Sequence, residues 1–158
     1  MKVFGVEANH IIEELPEFIE FIKNETRLSE LQKNIFLFEK KEDAQFAQSA
    51  LMDAALFEDF SLLYYIINGE KGETFDDFGI ESKSGFYLFS ELLCAFVISG
   101  GVKENIQMAK YQFQEHLVFT GKEDNVKPMY FAELHLKELI IGIANAYDIQ
   151  VSFLDLDK

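Results

Sequence analysis

The sequence predicts an α+β domain that is mainly α, with about six helices and a small sheet drawn from terminal strands. Three observations carry this reading. Apolar residues recur at helical spacing through most of the chain. Residues 149–156 (IQVSFLDL) alternate as a strand does, and with Lys2–Val6 and Ile35–Phe38 they supply the small sheet. The length of 158 residues, 49% hydrophobic and 27% charged, fits a single globular domain over residues 1–158.

Each element has its own justification. Ile11, Ile12, Leu15, Phe18, Ile19 and Ile22 form a helical stripe opposed by glutamates, which Pro16 restarts as a first-turn residue. Leu28 and Leu31 fit a second short helix, and residues 34–39 read as a strand or as that helix's end. Residues 41–57 read as helix, with Phe46, Ala47, Ala50, Leu51 and Ala54 in one stripe. Residues 60–67 (FSLLYYII) satisfy both templates, a helix closed by Gly69 or a strand before an Asn68-Gly69 turn; the helical reading is taken. Residues 68–85 hold four of the nine glycines and read as a long loop. Three helices then follow: Phe86–Ser99 closed by Gly100-Gly101, Lys103–Thr120 closed by Gly121, and Pro128–Tyr147. No internal repeat is visible.

Charge and cysteine content bound the function. The net charge of −14 argues against nucleic acid and anionic membrane as partners, because both need positive surface to displace counterions. The first residues contain no apolar signal region, and the Phe86–Ser99 stretch is too short for roughly 30 Å of hydrocarbon. Cys94 is the only cysteine, so neither an intrachain disulfide nor a cysteine-rich zinc site can form. These features together predict a reducing, cytoplasmic setting.

Catalytic motifs are missing. Asp77-Phe78-Gly79 spells the kinase metal triplet without the rest of the kinase signature, and reads as turn chemistry. Gly121-Lys122 is followed by Glu123 where a phosphate loop needs Ser or Thr. Cys94 reads as a small buried hydrophobe. If 103–120 and 128–147 formed a helical hairpin, His116, His135 and Glu138 would converge as metal ligands. Accidental proximity outweighs that, so no metal and no cofactor are assigned. Seventeen phenylalanines fit a Phe-rich core, which outweighs a cavity lined by Phe86, Phe89, Phe96 and Phe113.

The charge is uneven. Residues 41–80 carry −7 of the −14. The predicted partner-binding residues are Glu58, Asp59, Glu70, Glu73, Asp76, Asp77 and Glu81, with Phe75 or Phe78 as an apolar anchor. Four of these acids, Glu73, Asp76, Asp77 and Glu81, offer hard oxygens for calcium, but not at EF-hand spacing. The expected function is an acidic protein-binding module, most concretely an inhibitor or immunity-type protein neutralising a basic partner such as a nuclease. The alternatives are a small-molecule-binding or metal-dependent helical enzyme domain, and a non-catalytic regulatory or structural subunit.

Overall fold

The computed structural model describes residues 1–123 and 126–157 and divides the chain into two compact units, Met1–Tyr64 and Tyr65–Lys158. The first unit runs β1 (Lys2–Ala8), a 3-10 turn (His10–Glu14), α1 (Pro16–Glu25), β2 (Leu28–Gln32), β3 (Ile35–Phe38), α2 (Lys41–Asp53) and β4 (Phe57–Ile66). Its strands pair antiparallel in the order β2-β3-β1-β4, with Val6 opposite both Phe36 and Phe60. Alternate strand residues Phe4, Val6, Ala8, Phe36 and Phe38 share one face. They pack against Ile12, Ile22, Ala44, Ala47 and Leu51 from the helical side. Pro16 stands in the first turn of α1, where its missing N–H costs nothing.

The second unit runs β5 (Gly69–Lys71), α3 (Phe75–Phe78), β6 (Gly79–Glu81), β7 (Phe86–Phe89), a 3-10 turn (Ser90–Leu92) and β8 (Leu93–Gly100). It continues through α4 (Lys103–Gln114), β9 (Leu117–Gly121), β10 (Met129–Glu133), a 3-10 turn (Leu134–Leu136), α5 (Lys137–Ala146) and β11 (Gln150–Leu154). Five strands pair antiparallel in the order β11-β8-β10-β9-β5, and β6 pairs with β7. Cys94, Phe96, Tyr130 and Ala132 face Ala109, Phe113, Ile140 and Ala144 of the helices.

Each unit therefore contains the same β-α-β-β-α-β path. In both, the fourth strand lies beside the first, then the third, then the second. This is the topology of ferredoxin-like domains. The correspondence extends to single residues: α2, at 13 residues, matches the 3-10 turn plus α5, Leu134–Ala146. Both helices end with a non-glycine residue in the left-handed region, Ala55 at φ 57° and Asp148 at φ 53°. Leu56 N–H donates to the Leu51 carbonyl at 2.8 Å, and Ile149 N–H donates to the Ala144 carbonyl at 3.0 Å. These bonds satisfy otherwise orphaned helix carbonyls in the same way twice.

The mainly helical expectation is overturned. Two antiparallel sheets carry the structure, and strands replace three expected helical stretches and part of two more. Residues 28–32, 57–66 and 93–100 are strands, while Lys103–Thr120 and Pro128–Tyr147 each combine a shorter helix with a strand. The small terminal sheet is also corrected: β1 and β3 belong to one sheet and β11 to the other. β8 misleads because Cys94 and Phe96 are buried on one face while Leu93 and Ala95 are buried on the other. Burial on both faces removes the alternation that marks a half-exposed strand.

Candidate functional site

The acid-rich segment is a folded piece rather than a long loop. Phe75, only 1% exposed, inserts its ring against Phe86 (5.9 Å, edge-on) and Phe119 (5.7 Å). Gly72 donates its N–H to the Val118 carbonyl at 2.8 Å, and a Cβ there would lie 2.1 Å from the Leu117 oxygen. Only glycine permits that approach. A Cβ at Gly79 would lie 2.7 Å from the Phe75 ring. The Tyr65 hydroxyl donates to the Ser84 carbonyl at 2.7 Å, tying down the turn before β7.

This anchoring sorts the predicted binding residues. Phe75 belongs to the core, so it is not available as an exposed anchor; Phe78 is half-buried. Glu81 and Lys71 form an ion pair at 2.7 Å, and Glu70 pairs with Lys122. The hydrogen bond from Lys71 to Glu81 pushes its ammonium pKa up, and the same ammonium lies 5.9 Å from the Phe75 ring centre. Glu73, Asp76 and Asp77 are exposed, and α3 places the two aspartates on one turn. Glu58 and Asp59 lie on the β4 stretch of the first unit, accepting from Asn9 Nδ2 (3.2 Å) and Ser61 Oγ (3.3 Å).

The metal hypothesis loses its geometry. His116 follows the end of α4 in a turn, His135 sits in an exposed 3-10 turn, and Glu138 is exposed at the start of α5. The hairpin needed to converge them does not exist, because β9 and β10 intervene. Among the described residues, no group of three His, Cys, Asp or Glu side chains is placed to hold a metal ion. The phenylalanines weighed as a cavity lining do not share one packing group: Phe86 lies tilted against Phe119 (4.8 Å), whereas Phe96 meets Phe113 edge-on (5.2 Å). Cys94 is buried and its thiol contacts the Glu133 carbonyl at 3.8 Å; burial pushes its pKa up, which keeps it a neutral thiol.

Sequence reasoning missed an aromatic cleft in the first unit. Phe21 of α1 is 45% exposed and Phe46 of α2 is 39% exposed, with ring centres 5.9 Å apart. Phe18 meets Phe21 edge-on at 6.1 Å. Together with Ser49, Ala50, Asp53 and Ala54 they line an open depression of about 470 Å³. On the other side of Phe18 and Phe21, Glu14, Leu15, Pro16 and Glu17 line a second depression of about 610 Å³. The signal was present in the spacing: Phe46 lies off the buried stripe of Ala44, Ala47 and Leu51.

No family model, curated protein or solved structure matches this chain. The ferredoxin-like topology alone assigns no activity, since one fold hosts many unrelated functions. The expectation of an inhibitor or immunity-type protein finds no support in fold or comparison and is not retained. No described helix is long and apolar enough to cross a membrane.

Proposed function

We propose that this protein is an acidic binding module that recognises a basic protein partner and performs no catalysis of its own. The observation that carries the reading is the presentation of Asp76 and Asp77 on a helical turn whose Phe75 is locked in the core. A preordered acidic surface loses little conformational entropy on association, and its field steers a cationic partner into contact. Glu73 adds a third exposed carboxylate beside that turn in sequence, while Glu70 and Glu81 are partly neutralised by Lys122 and Lys71. A reducing, cytoplasmic setting belongs to the same proposal, supported by the one free and buried cysteine.

The test uses the full chain immobilised beside its Asp76→Lys/Asp77→Lys variant, with extract of the source cell passed over both. A basic protein is expected on the wild-type surface at about 50 mM salt, depleted at about 300 mM salt and absent from the variant. Circular dichroism checks that the variant is folded. Equal recovery on both surfaces overturns the proposal.

A further inference from the structure

We propose that the aromatic cleft between α1 and α2 is a second docking site, built for an amphipathic helix whose apolar anchor is flanked by lysine or arginine. This goes beyond the acidic-segment reading, because it concerns the first unit and none of residues 68–85.

The cleft is not a by-product of the fold. Ala44, Ala47 and Leu51 already satisfy the core face of α2, all of them fully buried. Phe46, Ala50 and Asp53 form a separate stripe at helical spacing along its flank. The second unit shows what the same scaffold does without a cleft. There Ala50 corresponds to Ile143 and Ala54 to Tyr147, through the helix ends matched by their shared caps. Ile143 and Tyr147 pack against the unit's own core. In the first unit these two positions are alanines, so the space is left open and walled by Phe18, Phe21 and Phe46.

Charge selects the occupant. Asp53, Glu14 and Glu17 line the two depressions, and among the described residues no lysine or arginine lines either. The position of Asp53 is alanine, Ala146, in the second unit. A helix laid along the groove between α1 and α2 would seat one large apolar side chain against the Phe21–Phe46 pair, over Ala50 and Ala54, with its basic neighbours on the carboxylates. Aromatic walls add a favourable face for those cations.

The probe is a fluorescent peptide of about 14 residues with leucine on one helical face and lysine on the other. Its counterparts replace lysine by glutamate, or leucine by serine. The full chain is expected to bind the Leu/Lys peptide and neither counterpart. Phe21→Ala/Phe46→Ala, and Ala50→Ile/Ala54→Tyr, which fills the cleft as the second unit does, are each expected to weaken binding about tenfold or more. Asp53→Lys, at an exposed position, is expected to weaken it several-fold with packing intact. Asp76→Lys/Asp77→Lys should leave it unchanged, which separates this site from the acidic segment. The proposal is overturned by no binding to wild type, by equal binding of the Glu peptide, or by binding indifferent to cleft filling or to Asp53→Lys. It is equally overturned if light scattering shows self-association that Phe21→Ala/Phe46→Ala abolishes, which would make a second copy the occupant.

Discussion

Replacing Phe75 by alanine is expected to destabilise the second unit by about 3–5 kcal/mol. The ring is 1% exposed and packs on both Phe86 and Phe119. Removing it forfeits the transfer free energy of a buried aromatic side chain, about 1.5–3 kcal/mol, and leaves a void. Collapse into that void is resisted, because Gly72 is bonded to Val118 and Gly79 stands against the ring's site. A loss of this size is a large share of the roughly 5–15 kcal/mol that stabilises a typical protein. Urea unfolding of wild type and variant measures the difference, and amide exchange over residues 72–81 reports whether the segment detaches. Asp76→Asn and Asp77→Asn, on the same turn but exposed, should each shift stability by less than about 0.5 kcal/mol. A Phe75→Ala loss under about 1 kcal/mol would mean a segment that is not anchored, and would refute the reasoning.

Two further outcomes follow from the backbone and the buried acids. Ala55→Gly should raise stability by about 1 kcal/mol by relieving a Cβ held at φ 57°, and Asp148→Gly by less, because aspartate tolerates that region better; thermal melts decide, and a destabilised Ala55→Gly would contradict the shared helix ending. Burial raises the pKa of both Cys94 and Tyr130, so folded protein holds these protons to higher pH than unfolded chain does. The stability they contribute is present below the ordinary thiol value of 9.0 and is lost as pH rises through the raised values. The urea midpoint should therefore fall above that pH, less steeply in Cys94→Ala, and thiol reagents should react slowly with native protein near pH 8.

The parts of the fold legible in the sequence are those with one buried face and clear punctuation. Pro16 marked the start of α1, the alanine-rich stripe marked α2, and alternation marked β11. β8 was hidden by burial on both faces. α4 stops at Gln114 with no glycine or proline, so β9 read as its continuation; Pro128, taken as a helix start, precedes β10. The internal repeat was invisible because equivalent core positions keep their burial while exchanging size. Val6 matches Phe96, Phe38 matches Ala132, and Ala47 matches Ile140. Large and small side chains change places between layers, which leaves little identity to detect. Local charge was readable, but the placement of Phe75 was not, since an aromatic among acids fits an exposed anchor and a core plug equally well. Phe46 erred in the opposite direction, looking like core and standing exposed at an open cleft, whereas Phe18 both packs on the core and borders that cleft.

The central claim is that an ordered acidic surface recruits a basic protein. The most direct measurement is the association rate of the partner recovered on wild-type chain, followed by stopped flow for wild type and Asp76→Lys/Asp77→Lys at about 50 and about 300 mM salt. The expected result is a wild-type rate that falls about tenfold or more with salt, and a variant rate that is already low and insensitive to salt. Equal rates for the two proteins at both salt concentrations would contradict the claim.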